Sequence, residues 1–535
     1  MAEHAIDYIE AIAAEFPDRQ ALTFRGSDGF SLRLSYGQLD QRLNRAANVL
    51  ASLGVAPGDH VGCHLYDTPV HVDVMLGAWK MGAVPININF RYLDEELRYL
   101  FEDADLKLVV SEPALADRAQ RVAQGCQTIQ QVVVADGSWD QRLSAASPER
   151  PPIERTGDEH YILYTGGTTG MPKGVVWRHT DILHAAFSTR GFARMKIPAV
   201  PNPQAAVDAL RNGPPRYSAR PCTCPLFPLM HGGGQWAMMV GLVRGMRRVL
   251  ITDVHFDPEF FLQVLAEERV NGVSAAGDAH ARPVVDAVNA SHGGVLDLPE
   301  LRSWNSSAVM MSPAVKEDLA KALPDTRIVD GLGASESGGQ GAFVGYGEEG
   351  SPRFRLNEGH VILDDEMQPI DPSERRIGRL AKTGRIPVGY YKDAEKTAET
   401  FPVIDGVRYT MPGDLARWEE DGTVTLFGRG SLSINTGGEK VFPEEVEKAL
   451  KSHEAVLDAV VVGTPDDRFG QRVTAVVQLR PGYDDPGLQA LAAHSKRLLS
   501  GYKAPRALVL VDEIVRSPSG KPDYRWAKAT ALERM

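Results

Sequence analysis

Cysteine is scarce in this chain, with four among 535 residues. Cys63, Cys126, Cys222 and Cys224 are too few for a disulfide framework. Cys222 and Cys224 form a C-x-C pair without a partner cluster, so structural thiols are expected there rather than zinc. A reducing cytoplasm is the expected setting. Long apolar runs are also missing. No stretch approaches the ~20 residues that a membrane span needs. The N-terminal "MAEHAIDYIE" is acidic and lacks an apolar signal core, so no leader is expected. Basic excess is absent too. The net charge is -12, which argues against a nucleic-acid partner, and short clusters such as "RGMRR" read as solvated. No internal repeat is evident.

What is present is an ordinary globular composition, 43% apolar and 24% charged, with length for two or more domains. "LSYGQLDQRLNRAANVLASLGV" places Leu39, Leu43, Ala46, Ala47 and Leu50 at helical spacing. "HVGCHL", "LKLVVSE", "QQVVVAD", "RRVLITDVHF" and "TRIVDGLGASE" read as strands separated by helix-length segments. That alternation predicts parallel α/β sheets. Residues 195–225 are proline-rich and are expected to form an insertion loop. After about residue 350, "GHVILDDEMQPI" and "GTVTLFGRG" read as antiparallel strands. Beyond Arg429 a compact α+β pattern predicts a separate small domain, 430–535, behind a large one, 1–429. "GRGSLSINTGG" between them suits a hinge.

Several stretches carry more polar detail than a core needs. "YTGGTTGMPKGVVWRH" runs from Tyr164 through Thr165, Gly166, Gly167, Thr168, Thr169 and Gly170 to Lys173. Clustered glycines bring bare backbone N–H groups close to a ligand, and N–H groups with hydroxyls suit phosphate oxygens. The loop fits neither G-x-x-x-x-G-K-[ST] nor G-x-G-x-x-G. "DGLGASE" puts Asp330, Ser335 and Glu336 after a strand, where loop side chains of an α/β protein meet ligands. Glu336 is a natural carboxylate for Mg²⁺ on phosphates. Asp414, in "GDLARW", could accept two hydrogen bonds from a ribose diol. "SPSGKPDYRWAK" sets Lys521 in a Gly/Pro-flanked loop. Taken singly, "DGLGASE", "GDLARW" and "SPSGKPDYRWAK" read as turn or solvated-loop positions, whereas the small and hydroxyl residues from Thr165 to Lys173 exceed what a turn needs.

Together and in this order, the stretches resemble the adenylate-forming superfamily of acyl-CoA synthetases, peptide-synthetase adenylation domains and beetle luciferases. The resemblance runs over almost the whole chain, from "LSYGQLDQRLNRAANVL" through "GYYKDAEKTAETF" to "SPSGKPDYR". Among its branches, the chain looks most like actinobacterial fatty-acid and steroid-side-chain CoA ligases. The resemblance implies an α/β fold: a large N-terminal domain of αβα-layered sheets plus a distorted β-barrel, with a small mobile α+β C-terminal domain. It implies ATP, Mg²⁺ and coenzyme A as co-substrates and metal. Thr165 to Lys173 would hold the β- and γ-phosphates, Ser335 a phosphate oxygen and Glu336 the metal. Asp330 would reach the adenine amino group, with Gly331, Leu332, Gly333 and Ala334 lining the nucleotide site. Asp414 would take the ribose, and Arg429 the ribose or a phosphate. Lys521 would approach the carboxylate and the α-phosphate, so the catalytic set is Lys521, Glu336 and Thr165. Rotation about Ser431 would withdraw Lys521 and bring Gly437, Gly438, Glu439 and Lys440 in for thiolation.

Some positions depart from the family pattern. Leu332 replaces the usual aromatic, so adenine would pack on an aliphatic surface. Ser431 makes the hinge neutral, and Arg379 stands where Glu is common. The acyl pocket is implied near His231, Gly232, Gly233, Gly234, Ala275, Ala276, Gly277, Asp278, Ala308 and Val309. Small residues there would leave room for a polycyclic acid, or would serve close helix–sheet packing. Asp278 and His280 would meet a substrate hydroxyl or ketone, or cap the following helix.

The expected function is an acyl-CoA ligase of lipid or terpenoid metabolism. It would join a bulky carboxylic acid to CoA through acyl-AMP, with release of pyrophosphate. The alternatives are an adenylating enzyme that passes acyl-AMP to another protein or carrier thiol, and a catalytically dead nucleotide-binding regulator. Small-molecule partners are expected, and a homodimer is allowed.

Overall fold

The computed structural model describes residues 3–165, 171–187, 199–213, 221–291, 293–307, 310–347, 351–429, 434–436, 439–466, 470–499, 501–516 and 522–535. The sequence pattern explains most of its elements. Helix Tyr36–Ser52 starts at Ser35, whose side chain accepts from Gln38 N–H while the Gln38 side chain caps Ser35 in return. Its Leu39, Leu43, Ala46, Ala47 and Leu50 are buried at the expected spacing. Strand His60–His64 is buried throughout, as a central parallel strand requires. It pairs in parallel with Val84–Asn87 and Leu106–Ser111, and Leu106–Ser111 pairs with Gln131–Val134.

A second sheet, of 15 strands, is the backbone of the fold, with 14 of them along one path. Its first part is the parallel sheet of an α/β protein, in which Cys222–Pro225 lies between Arg247–Ile251 and Gly272–Ala275. The path continues through Ser303–Ser306 into Arg327–Ala334. That strand changes partner midway. Asp330 is the last residue in parallel register with Ser306, and Gly331 begins an antiparallel ladder with Gly338–Tyr346. Antiparallel strands then follow through Pro352–Leu356, Val424–Arg429, Asp414–Trp418 and Gly378–Thr383. Among the described residues this path is open, so an antiparallel sheet stands where the distorted barrel was expected.

The proline-rich segment 195–225 is not simply a loop. Helix Pro203–Asn212 lies within it, with Pro203 in the first turn where no N–H is needed and Asn202 capping Ala205 N–H. Cys222–Pro225 supplies a buried sheet strand. The C-terminal elements have a sheet and cores of their own, with Val456–Asp466, Gly470–Leu479 and Ala507–Val511 flanked by helices Pro443–Lys451 and Gly487–Leu498. A closing helix, Tyr524–Arg534, adds to this unit.

The large region buries an aromatic stack. His4 and His179 lie face to face at 3.7 Å between ring centroids, and Trp79 stands perpendicular to His179 at 4.9 Å. Neither ring nitrogen of His179 has a hydrogen-bond partner among the described residues. Burial pushes His179 down to about 3, helped by the Arg155 and His160 charges, and pushes His4 well below the usual range. The unfolded chain therefore takes these protons first. The stability they contribute is complete above about pH 6.5 and is lost progressively as pH falls toward about 3. The melting temperature should fall between pH 7 and pH 5, and His179→Phe should flatten that slope. An unchanged slope in the variant, read by differential scanning calorimetry, would refute the assignment.

Candidate active site

The glycine loop closes a hairpin. Strands His160–Thr165 and Lys173–Arg178 are antiparallel, with Thr165 opposite Lys173 at the mouth. The loop thus joins two strands, unlike the strand-to-helix turns of the two common phosphate loops. Gly166, Gly167, Thr168, Thr169 and Gly170 lie outside the described residues. Lys173 is ion-paired with Asp393, the N-cap of helix Ala394–Thr400. That pairing lowers the Asp393 pKa, first through the hydrogen bond from Lys173. Lys173 Nζ also lies 5.8 Å from the Tyr390 ring centroid.

Tyr390 extends the connection, its hydroxyl donating to Glu336 Oε1 at 2.9 Å. The backbone around Glu336 is held from three sides. Trp177 Nε1 donates to Ser335 O at 2.9 Å and Thr410 Oγ1 to Glu336 O at 2.8 Å, while buried Lys382 donates to Ser337 O. Three stretches far apart in sequence, "YTGGTTGMPKGV", "DGLGASE" and "GYYKD", therefore meet at one place. Asp414 and Arg429 are cross-strand partners in the adjacent ladder. Asp330 is buried at the strand's partner change, paired with Lys316 and accepting from Met311 N–H at 3.4 Å. Leu332 is half-buried beside exposed Gly331 and Gly333, and Ala334 ends the strand.

The candidate acyl residues divide differently. His231 is the N-cap residue of helix Gly232–Leu242. A Cβ on Gly234 would sit 2.3 Å from Pro228 O, and one on Gly232 would sit 2.4 Å from a Leu163 methyl. A Cβ on Gly233 would lie 3.2 Å from the Phe227 ring. Close packing therefore accounts for Gly232 and Gly234, and Ala275 is part of a buried core. Gly234→Ala should cost about 1–3 kcal/mol, because the obstacle is backbone. A melting temperature equal to wild type would show that Pro228 yields.

Gly277 has φ +41° and donates to Ser306 Oγ at 2.9 Å, so glycine is needed there for its backbone conformation. Half-buried Ala276 donates its N–H to His280 Nδ1 at 3.0 Å, and Asp278 Oδ1 accepts from Ser312 N–H at 2.8 Å. The His280 ring packs edge-on against Phe256 at 5.3 Å, and burial pushes its pKa down to about 4. Both polar groups are thus engaged by local backbone.

Ala308, Val309, Ser431, Gly437, Gly438 and Lys521 lie outside the described residues. Glu439 and Lys440 fall in strand Glu439–Val441, in register with Thr436 and Asn435.

Two connections escaped the sequence reading. Asn87 Nδ2 donates to Tyr164 O and to Met230 O, both at 2.8 Å, and its Oδ1 accepts from Tyr164 N–H at 2.8 Å. It ties the hairpin to the segment before His231, and its only sequence signal is a polar residue inside the apolar run "VPININF". Helix Pro443–Lys451 also faces the large region. Phe442 packs on Phe427 at 5.6 Å, and Lys448 Nζ lies 3.3 Å from the Tyr346 ring centroid. Burial there pushes Lys448 down to about 8 and Glu444 up to about 8, the latter aided by Glu447 and Asp414.

A family model for AMP-binding enzymes matches residues 9–389, and one for the AMP-binding enzyme C-terminal domain matches residues 445–521. The chain belongs to the AMP-binding enzyme family. It is 41% identical to a 3-oxocholest-4-en-26-oate–CoA ligase of Rhodococcus rhodochrous, over 99% of this chain and 94% of that protein. It is 44% identical to a medium/long-chain-fatty-acid–CoA/3-oxocholest-4-en-26-oate–CoA ligase of Mycobacterium tuberculosis, over 99% of this chain and 95% of that one. The fold matches the crystal structure of the anthranilate CoA ligase AuaEII in complex with anthranoyl-AMP, with a TM-score of 0.82 at 21% identity, covering 100% of this chain and 98% of that one.

Proposed function

We propose that the protein is an AMP-forming acyl-CoA ligase acting on a bulky carboxylic acid of the steroid-side-chain type. The observation that carries this reading is the convergence of Thr165, Lys173, Tyr390 and Glu336 at the mouth of one hairpin, in a chain over 40% identical to two such ligases. The acid's carboxylate would attack the α-phosphorus of ATP and expel pyrophosphate. The CoA thiol would then displace AMP from the acyl-AMP. Such phosphorus chemistry needs positioning and charge neutralisation more than covalent help.

The motifs and the described positions together support the following residue roles. The hairpin loop between Thr165 and Lys173 would hold the terminal phosphates. Asp414 and Arg429, opposite each other on neighbouring strands, would take the ribose side. The family implies Mg²⁺, and a single carboxylate oriented by a tyrosine hydroxyl suits a hard cation completed by substrate phosphate oxygens. Glu336 would hold it, and it would neutralise phosphate charge. Lys521 would come from a small domain of residues 430–535 that moves about Ser431 between the two half-reactions.

Phe227, Gly233 and His231 would line the acyl side, and the width of that site would admit fused rings. No helix among the described residues is long and apolar enough to cross a membrane, and all four cysteines are buried and free. We place the enzyme in the cytoplasm on that cysteine usage.

The test is a panel of steroid-side-chain, long-chain and aromatic acids with ATP and CoA, following acyl-AMP, pyrophosphate and acyl-CoA separately by mass spectrometry. Acyl-CoA from a steroid-type acid supports the reading. Acyl-AMP without acyl-CoA would favour another thiol acceptor, and turnover of aromatic acids alone would overturn the bulky-acid assignment.

A further inference from the structure

Asp330 is 1% exposed, and a buried carboxylate is costly without partners. Two groups meet that need. Met311 N–H points at Oδ1 from 3.4 Å, and the Lys316 ammonium pairs with Oδ2. Lys316 comes from the first turn of helix Pro313–Ala322, a different element from the strand that carries Asp330. Its ammonium lies 4.2 Å from the Phe343 ring centroid, on the antiparallel partner strand. A charge over the face of a ring is held there by the ring quadrupole. Lys316, at Oδ2, and Met311 N–H, at Oδ1, thus fix one orientation of the Asp330 side chain.

The surroundings of Asp330 fit a flat ligand. Gly331, next along the strand, is exposed, and a Cβ there would meet nothing closer than Ser306 O at 3.7 Å. Packing does not impose glycine at 331, and its φ is not in the left-handed region. Glycine there leaves the strand backbone next to Asp330 exposed.

We infer that Lys316 is a positioning residue that sets base selectivity in the nucleotide site. It aims the Asp330 carboxylate at the exocyclic amine of a 6-amino purine. A 6-oxo purine presents a carbonyl oxygen at the same edge, acceptor against acceptor, and is rejected. Such a site discriminates because two facing acceptors repel where an amine would donate. The inference rests on the reading above that this site binds ATP with Asp330 at the base edge.

The experiment measures pyrophosphate release by the full-length enzyme with ATP and with ITP, for wild type, Lys316→Met and Lys316→Arg. Lys316→Met should raise the ATP KM about tenfold, hold kcat within about twofold and narrow the ATP:ITP ratio of kcat/KM about tenfold. Lys316→Arg, which keeps the charge, should restore most of the preference. An equal loss with both nucleotides, or no change with either, overturns the inference. If Lys316→Met is insoluble, Lys316→Gln takes its place, and a ratio equal to wild type overturns the inference equally. Failure of wild type to release pyrophosphate with any acid would instead overturn the ligase reading.

Discussion

Lys521→Ala should lower acyl-AMP formation by about a thousandfold while leaving the conversion of supplied acyl-AMP to acyl-CoA close to wild type. Negative charge passes from the attacking carboxylate to the α-phosphate oxygens and the departing pyrophosphate as one P–O bond forms and the other breaks. An ammonium brought to the α-phosphate oxygens would stabilise that state more than the ground state, so its removal should fall on kcat. The thiol step releases AMP from a mixed anhydride and would take place after the small domain has withdrawn this lysine. Two assays separate the effects: pyrophosphate release from acid and ATP, and acyl-CoA formation from synthetic acyl-AMP. Equal loss in both would refute an alternation of the two half-reactions.

Glu336→Gln should lower kcat/KM for ATP about a hundredfold with little change in melting temperature. The substitution keeps the shape of the side chain and an oxygen able to accept from the Tyr390 hydroxyl, which donates at 2.9 Å to Glu336 Oε1. The backbone contacts from Trp177 and Thr410 do not involve the side chain and should persist. What disappears is one negative charge, the one that would hold the metal beside the phosphates. Raising Mg²⁺ should recover part of the loss if the charge serves the metal. Pyrophosphate release at the wild-type rate would remove Glu336 from the proposed metal site.

The sequence was most legible where local and global signals agreed. Helix Tyr36–Ser52 carries its cap and its apolar stripe in one segment, and the buried β-branched strands announce themselves. Cys222–Pro225 was hidden because a four-residue strand among prolines offers no periodicity, and its place is set by parallel neighbours on both sides. In the site, ordered motifs pointed to Thr165, Lys173 and Glu336, yet nothing local shows that Asp393 pairs with Lys173 or that Tyr390 reaches Glu336. Contacts between residues more than fifty positions apart come from topology. The reverse holds for Asp278 and His280, whose polar character suited either substrate recognition or a helix cap. They answer backbone N–H groups at Ser312 and Ala276.

The partner change within Arg327–Ala334 has a mechanical consequence. One strand is hydrogen-bonded into the parallel sheet through Asp330 and into the antiparallel sheet from Gly331 onward. The two sheets cannot part along this line without breaking the ladders of the strand that they share. Its amides should therefore exchange with solvent only when the whole large region opens, as a single cooperative unit. Any freedom to admit and release ligands would then lie elsewhere in the chain, with the stretch from Asp330 to Ala334 as a fixed point shared by both sheets.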